Sequence, residues 1–206
     1  MAESRAGEVT VRTARPGERA VVTATVAAAF ASDPAWSYIL GGEYDRLSGA
    51  FAGTLFDLRV DGGDVWVSDD LSAVAMWEPP DGPRLEPAAV KRLWQGYRDS
   101  AGDRAWQAMR DYDQAVATAR PSTPYWYLGV LATHPDRRGR GLATAVLGPV
   151  LAQADQDAVA CCLETSTAAN RAFYKRRGFT QATQVAVPGG PTTWWLARPP
   201  AVVRGE

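Results

Sequence analysis

Histidine, cysteine and lysine are all scarce in this 206-residue chain, and the first two shortages disfavour several kinds of site. His134 is the only histidine, which disfavours a histidine-based zinc centre and a Ser-His-Asp triad. The only two cysteines, Cys161 and Cys162, are adjacent in an apolar run. This placement predicts buried strand residues in a reducing compartment, with neither a disulfide frame nor a metal site.

The sequence also lacks an excess of positive charge and a long apolar run. Its formal net charge is −1, and its twenty arginines are balanced by acidic residues, so we expect no nucleic-acid partner. No apolar run reaches the roughly 18 residues of a membrane-spanning helix. The first residues do not combine a basic stretch with an apolar one, so we expect a cytoplasmic protein without a membrane partner.

Length and periodicity predict one domain of mixed α and β structure over residues 1–206. With 46% hydrophobic residues the chain can bury a sizeable core. Alternating or continuous apolar runs predict strands at 9–14, 65–68, 73–77, 125–133, 159–165, 180–187 and 192–198. Helical spacing predicts helices at 18–31, 44–60 and 142–154, and two more between 84 and 120 whose aromatic stripes we expect in the core. We expect the first eight residues and the tail after Pro199 to be frayed.

The most informative segment is 131–144, where an apolar run ends and two glycines precede a helical pattern. Gly139 and Gly141 flank Arg140, which predicts a strand, a short loop and the start of a helix. Glycines allow consecutive N–H groups to point into one concavity. Those donors, the positive end of the helix and the arginines of the loop suit a pyrophosphate.

Four interpretations of this loop compete. The loop has neither the glycine spacing nor the lysine of a P-loop. A dinucleotide-binding fingerprint would require a third glycine or alanine where Thr144 stands, although Glu164 could mimic its ribose-binding acid. An ordinary glycine turn is the third interpretation. The fourth is an acetyl-CoA site, because Arg138, Gly141 and Ala143 fit the Arg/Gln-x-x-Gly-x-Gly/Ala signature of the GNAT superfamily of N-acetyltransferases, which the loop therefore resembles.

A second segment strengthens the fourth interpretation. Asn170 and Tyr174 lie four residues apart, so they share one face of a short helix that ends at Gly178. Tyr174 could simply be half buried beside Phe173. At this distance from the glycine loop, however, the pattern resembles the closing motif of GNAT enzymes. The resemblance implies that Asn170 contacts the cofactor and that Tyr174 protonates the departing thiolate.

The resemblance extends over nearly the whole chain and narrows to the puromycin N-acetyltransferases. It is carried by segments 28–34, 65–70, 73–77, 163–166 and 185–194. Asp33 departs from that pattern, which has a tyrosine there, and residues 78–124 diverge. The resemblance implies an α/β (α+β) fold, the GNAT fold, with a mixed, mostly antiparallel sheet of about seven strands flanked by helices. It also implies a cofactor half at about 125–206 and acceptor-pocket elements at about 18–60 and 78–124.

The same resemblance implies a mechanism in which a neutral amine attacks acetyl-CoA directly, without a metal. Backbone groups of three strand residues would bind the pantetheine arm and stabilise the oxyanion: Leu131, Ala132 and Thr133. Amides of the loop and helix start would hold the pyrophosphate: Arg138, Gly139, Arg140, Gly141, Leu142, Ala143 and Thr144. Glu164 is the preferred base, with a structural carboxylate or a water chain as alternatives. Asp33 and Glu78 are further acidic candidates. Aromatic walls are expected from Trp36, Tyr38, Trp77 and Trp126.

Three functions therefore remain open at this point. The first is acetylation of a small-molecule primary amine, as in an aminonucleoside or other amino-bearing antibiotic. The second is acetylation of a protein lysine or N-terminus, and the third is a non-catalytic acetyl-CoA-binding module. The sequence does not decide between a monomer and a homodimer.

Overall fold

The computed structural model describes residues 9–201, and the predicted fraying of the chain ends falls outside this range except for Pro200 and Ala201. Six helices are described: α1 (Arg19–Phe30), α2 (Pro34–Leu40), α3 (Tyr44–Asp57), α4 (Pro87–Ala117), α5 (Leu142–Gln156) and α6 (Ala168–Lys175). The strands described are β1 (Val11–Thr13), β2 (Val65–Ser68), β3 (Ala73–Glu78), β4 (Tyr125–Thr133), β5 (Ala160–Thr165), β6 (Gln181–Ala186) and β7 (Thr192–Arg198).

The seven strands form one sheet in the order β1-β2-β3-β4-β5-β7-β6. Every neighbouring pair is antiparallel except β4 and β5, which run parallel and are connected by α5. A parallel pair needs such a crossover, and a helix is its usual form. The predicted fold class, a mixed and mostly antiparallel sheet flanked by helices, is confirmed.

Each face of the sheet is covered by its own hydrophobic core, because neighbouring strand residues point to opposite faces. On β3, Val74 and Met76 pack in the core that contains residues of α1, α2, α3 and α4. Ala75 and Trp77 pack in the other core, with residues of α5 and α6. Both cores are built from residues that are nearly inaccessible to solvent.

The two cysteines divide between these cores. Cys161 and Cys162 are consecutive residues of β5, so their side chains enter opposite cores. Both are free and buried, and burial raises the pKa of both thiols to about 12. The predicted placement in the core of a strand is confirmed, and both groups stay protonated thiols at neutral pH.

The helical half of the fold contains one helix that the periodicity analysis missed. α2 begins at Pro34, and the Asp33 carboxylate caps it by accepting hydrogen bonds from the amides of Ala35 (2.9 Å) and Trp36 (3.0 Å). An aspartate followed by proline is a helix-start signal, since proline suits the first helical position. The helix is only 7 residues long, too short for a clear periodicity.

The two helices predicted between residues 84 and 120 follow each other directly and meet at Gly102. Gly102 has φ 76° and ψ 169°, which no helical residue adopts, so α4 consists of two segments that meet at a kink. Glycine reaches this positive φ without the penalty that a Cβ would impose. None of the helices within residues 9–201 is long and apolar enough to span a membrane.

Candidate active site

A central cleft opens where β4 and β5 separate. Their parallel pairing covers only Tyr125 to Tyr127 of β4 and ends at Cys162 of β5. Beyond that point β4 continues to Thr133 along β3, whereas β5 continues along β7. The edge of β4 that faces β5 therefore presents unpaired backbone groups, and such an edge can bind an extended ligand as an additional strand would.

A β-bulge at Gly129 interrupts β4 beside the cleft. Val130 pairs with Met76 and Leu128 with Trp77, so Gly129 is the extra residue between two consecutive partners. A Cβ at this position would lie 3.0 Å from an Nη atom of Arg59. Bulges re-aim the side chains next to them and are frequent at functional sites. Glycine thus admits the Arg59 guanidinium close to the strand.

The cleft has a volume of about 780 Å³, within the usual range for pockets that bind small molecules. Aromatic and apolar side chains of the helical half form much of its wall: Phe30, Trp36, Ile39, Phe51, Leu55, Trp94, Trp106, Met109, Tyr112 and Val116. Titratable groups contributed by several elements also line it: Asp33, Arg59, Glu78, Lys91, Arg110, Asp113, Arg120, Tyr125, Tyr127, Glu164 and Tyr174.

Glu164 lines this cleft from the carboxyl end of β5. The Tyr127 hydroxyl donates to its carboxylate, at 2.8 Å from Oε1 and 2.9 Å from Oε2. Burial raises the pKa of Glu164 to about 7, although the Tyr127 hydrogen bond and the charge of Arg120 lower it in part. Both the neutral and the ionised carboxyl group are therefore accessible near neutral pH. Thr167, not Glu164, provides the N-cap of α6, so capping does not explain this carboxylate.

Tyr174 enters the cleft from α6. The Thr167 hydroxyl caps this helix by accepting from the amide of Asn170 (3.1 Å), and both Asn170 and Tyr174 line the cleft. The Tyr174 ring contacts Phe173 and Phe179 edge to face, with centroid distances of 5.2 and 5.6 Å. Burial raises the pKa of Tyr174, and the nearby negative charges of Glu164 and Asp33 raise it further. The phenol therefore stays protonated over the whole working pH range.

The glycine loop has the backbone conformation that its sequence predicts. Gly139 and Gly141 have φ +79° and +78°, and α5 begins directly after Gly141. The first intrahelical bond runs from Ala145 N–H to the Gly141 carbonyl, which leaves the amides of Leu142, Ala143 and Thr144 without an acceptor in the helix. Such a turn of free amides at the positive end of a 15-residue helix fits a pyrophosphate.

Two arginines tie the loop to its surroundings. Arg138 donates from Nη2 to the Ala29 carbonyl oxygen of α1 (3.2 Å). Arg177, just after α6, donates from Nη2 to the Thr144 hydroxyl. The loop is thus held to α1 on one side and to the helix that contains Tyr174 on the other.

Substituting Gly141 is expected to weaken acetyl-CoA binding. A Cβ here meets no atom within 4 Å, so the cost of Gly141→Ala comes from its positive φ, on the order of 1 kcal/mol or more. Relaxation of that strain would turn the free amides away from one another. We expect the KM for acetyl-CoA to rise roughly tenfold, with the KM for the acceptor unchanged.

Gly148→Ala is the matched control in the same helix. Gly148 also has open space around it but an ordinary helical conformation, so alanine should leave the kinetics unchanged. Equal KM values for acetyl-CoA in wild type and Gly141→Ala would contradict a role for the loop conformation in binding.

Of the residues suggested for the acceptor side, three line the cleft. Asp33 does so while one of its carboxylate oxygens, Oδ1, caps α2, and burial raises the pKa of this carboxyl. Trp36 lines the cleft from α2. Glu78 lines it from β3 and forms an ion pair with the buried Arg59 (3.5 Å). Asp33 is engaged in capping a helix and Glu78 in an ion pair, whereas the hydrogen-bond donor to Glu164 is a neutral phenol, so both are weaker candidates for a base than Glu164.

Three of the expected aromatic walls lie elsewhere. Tyr38 donates its hydroxyl to the Pro188 carbonyl oxygen (3.1 Å) and is not among the residues that line the cleft. Trp77 is fully buried in the core beneath α5, and Trp126 lies in the same core. The reason is strand alternation: Trp126 occupies the face opposite Tyr125 and Tyr127. These three residues are therefore removed from the candidate site.

Several residues of the cleft were missed by the sequence analysis, above all Tyr127. The alternation of β4 was a usable signal, since Tyr125 and Tyr127 share one face and both line the cleft, whereas the bulge at Gly129 places Leu131, which also lines it, on the other face. The stripes of α4 were expected in the core, and Tyr97, Ala105, Tyr112 and Val116 are buried there, whereas Trp94, Trp106 and Met109 are partly buried against the core and also line the cleft. Arg120 and Asp113 also line it and form an ion pair of 2.6 Å.

Within residues 9–201, no group of three potential ligands is arranged to hold a metal ion.

Comparison with known proteins identifies the class that this geometry defines. Residues 71–179, more than half of the chain, match the model of the acetyltransferase (GNAT) family. The matched segment contains β3, the glycine loop, Glu164 and Tyr174. The chain therefore belongs to the GNAT family of acetyltransferases, acyltransferases that use acetyl-CoA as co-substrate.

Solved structures agree with this fold over nearly the full chain. A Corynebacterium glutamicum protein described as histone acetyltransferase HPA2 and related acetyltransferase is similar at TM-score 0.61 and 22% identity, covering 96% of this chain and 99% of its own. A Drosophila melanogaster polyamine N-acetyltransferase that forms N-acetylagmatine gives TM-score 0.61 at 12% identity, covering 93% and 100%. A mosquito protein described as arylalkylamine N-acetyltransferase like 5b gives TM-score 0.62 at 14% identity, with the same coverage. At these identities the likeness shows the fold alone.

Proposed function

We propose that this protein transfers the acetyl group of acetyl-CoA to the primary amine of a small molecule by direct attack within a ternary complex. The observation that supports this most is that Glu164 and Tyr174 line the same cleft, at the point where β4 and β5 separate. One group can accept a proton and the other can donate one. The structural neighbours named as polyamine and agmatine N-acetyltransferases are consistent with a small amine acceptor.

Glu164 acts as the general base in this proposal. With a pKa of about 7 it is ionised in a large fraction of molecules at neutral pH, yet it is basic enough to take a proton from the attacking amine. An α-amino group has an ordinary pKa of about 7.7 to 8, close to the pKa of Glu164, so transfer of a proton from the amine to this carboxylate costs little free energy. The transfer can be direct or through one water molecule.

Tyr174 acts as the general acid. As the amine nitrogen bonds to the acetyl carbon, the carbon–sulfur bond breaks and the departing thiolate needs a proton or a strong hydrogen bond. A protonated phenol supplies either, and the raised pKa of Tyr174 guarantees the protonated form. Because that pKa exceeds the roughly 8.5 of a thiol, full proton transfer to the sulfur is uphill, and the phenol stabilises the departing thiolate through the hydrogen bond as the carbon–sulfur bond breaks.

The remaining elements hold the co-substrate, whose thioester supplies the activated acetyl group. The free amides at the start of α5, with Arg138, Gly139 and Arg140 before them, suit the pyrophosphate. The unpaired edge of β4 at Leu131, Ala132 and Thr133 suits the extended pantetheine arm and can donate to the developing oxyanion. Asn170, exposed at the cleft, can hydrogen-bond the arm from α6.

For the acceptor we propose an aminonucleoside or another amino-bearing antibiotic. The cleft is large enough for a molecule of that size, and its wall includes Trp36, Trp94 and Trp106, which suit the flat face of a nucleobase. Asp33 provides a carboxylate that suits the cationic form of an amine on arrival, whereas the charge of Glu78 is offset by Arg59. The sequence resemblance to puromycin N-acetyltransferases points to the same class.

The acceptor assignment is tested by acetyl-CoA-dependent release of free thiol with a matched panel. The panel contains puromycin, other amino-bearing antibiotics, agmatine, an arylalkylamine and a lysine-containing peptide. We expect puromycin or another amino-bearing antibiotic to exceed the simple amines and the peptide in kcat/KM by at least about tenfold, because only it fills the aromatic wall.

Each other outcome identifies a different activity. Preference for the peptide would show a protein acetyltransferase, and preference for agmatine would show a polyamine-type enzyme. Binding of acetyl-CoA without turnover of any amine would show a non-catalytic module.

A further inference from the structure

The hydroxyl of Tyr127 contacts both carboxylate oxygens of Glu164. One hydroxyl lies 2.8 Å and 2.9 Å from the two oxygens of the same carboxylate, so it sits in the fork between them. This position occupies the inner lone pairs of both oxygens. The outer lone pairs remain available to an amine or a water molecule in the cleft.

Tyr127 is itself held rigidly. Its ring stacks on Trp195 with a centroid distance of 6.0 Å and an interplanar angle of 7°. Trp195 is the direct cross-strand partner of Glu164 on β7. Tyr127, Glu164 and Trp195 thus come from three neighbouring strands of the sheet, and Tyr127 contacts both of the others.

Behind the tyrosine lies an ion pair that also faces the cleft. The Arg120 guanidinium stands 5.9 Å above the Tyr127 ring and pairs with Asp113 at 2.6 Å. The positive charge of Arg120 favours the ionised form of Glu164, whereas the negative charge of Asp113 opposes it. The other groups close enough to act electrostatically on Tyr127 are Glu164 and Arg59.

We propose that Tyr127 is the positioning residue of the base: its hydroxyl fixes the Glu164 carboxylate with the outer lone pairs toward the acceptor and stabilises the ionised form. The inference rests on the proposed function and adds a residue to it. Tyr127 does not touch the reacting atoms. It acts through Glu164, with the Arg120–Asp113 pair as a secondary influence.

The donor direction follows from the surroundings of the phenol. Burial and the neighbouring carboxylate both raise the pKa of Tyr127 well above its ordinary value, so it remains a donor throughout the working pH range. Hydrogen bonds to a charged acceptor stabilise the charged form. Removal of this donor should therefore make Glu164 harder to ionise.

The test compares Tyr127→Phe with Tyr125→Phe. Both changes delete one phenolic oxygen from the same face of β4, and both rings contact Trp195, but only Tyr127 bonds to Glu164. Glutamate labelled with ¹³C at the side-chain carboxyl is titrated by NMR in the free protein, and Glu164→Gln identifies the Glu164 signal by its loss. We expect the Glu164 midpoint, near pH 7 in the wild type, to rise by about one pH unit or more in Tyr127→Phe and to stay in place in Tyr125→Phe.

A second measurement separates positioning from folding and from the proposed function. In the pH profile of kcat/KM for the best acceptor, the acid limb should move upward in Tyr127→Phe by the same amount as the NMR midpoint, with rate at neutral pH lowered about tenfold. In a Glu164→Gln background the same substitution should have no further effect on the profile. An unmoved NMR midpoint in a folded Tyr127→Phe protein would overturn the inference. A shifted midpoint in a protein that acetylates no amine would instead refute the proposed function alone.

Discussion

Replacing Tyr174 by phenylalanine is expected to lower kcat by about 10² to 10⁴. The substitution removes only the hydroxyl, while the ring keeps its contacts with Phe173 and Phe179. What is lost is the donor for the departing thiolate, whose charge is largest in the transition state. Because that interaction is absent from the ground state, the Kd of acetyl-CoA should change little.

Tyr97→Phe provides the matched control for this loss. The Tyr97 hydroxyl is buried in the helical core and has no hydrogen-bond partner among residues 9–201. Removing it deletes the same atom from a residue that does not line the cleft, so kcat should remain at the wild-type value. Steady-state rates and acetyl-CoA binding by calorimetry give both quantities. A Tyr174→Phe enzyme with wild-type kcat would refute the acid assignment.

The second large effect is expected from Glu164→Gln, which should lower kcat/KM at neutral pH by about 10² to 10⁴. Glutamine keeps the shape and can still accept from the Tyr127 hydroxyl, so the cleft should stay intact. In the wild type, activity should rise with pH through about 7 as Glu164 ionises. In the variant the rise should follow the pKa of the acceptor amine instead. A variant with the wild-type rate and profile would show that water removes the proton and that this carboxylate is structural.

The same substitution should stabilise the fold at alkaline pH, because the raised pKa reflects a cost of ionising Glu164 in place. Folding favours the neutral form, so the wild type loses stability relative to the variant as pH rises from about 4.5 to about 7, and the difference is constant above that. The rise in pKa from 4.5 to about 7 corresponds to at most roughly 3 kcal/mol. Urea unfolding of both proteins at low and high pH measures it. Greater stability of the wild type at high pH would contradict the buried-base account.

The features that could be predicted best from the sequence are those set by residues close together in the chain. β4 and β7 begin and end where alternation and flanking prolines or glycines predict them. The conformation of Gly139 and Gly141 follows from the loop chemistry, and Thr167 caps α6 as a threonine before a helix should. Each of these features depends on residues within one or two turns of chain.

Features that depend on distant segments could not be predicted in the same way. The bond between Tyr127 and Glu164 joins residues 37 positions apart, and it exists because β4 and β5 pair in one particular register. Trp77 lies in the core beneath α5 and not in the cleft, because its side chain points to that face of the sheet. The aromatic stripe of α4 has the spacing of a core helix, and only the kink at Gly102 and the packing of its two segments place Trp94 and Trp106 at the cleft.

The most direct test of the account is one assay that follows thiol release and the acetylated amine together, for wild type and Tyr174→Phe with the best acceptor of the panel. The account predicts equal amounts of thiol and N-acetylated product from the wild type. It predicts a loss of at least about a hundredfold in the variant, with acetyl-CoA binding retained. Thiol release without an acetylated amine, or equal rates in the two proteins, would contradict it.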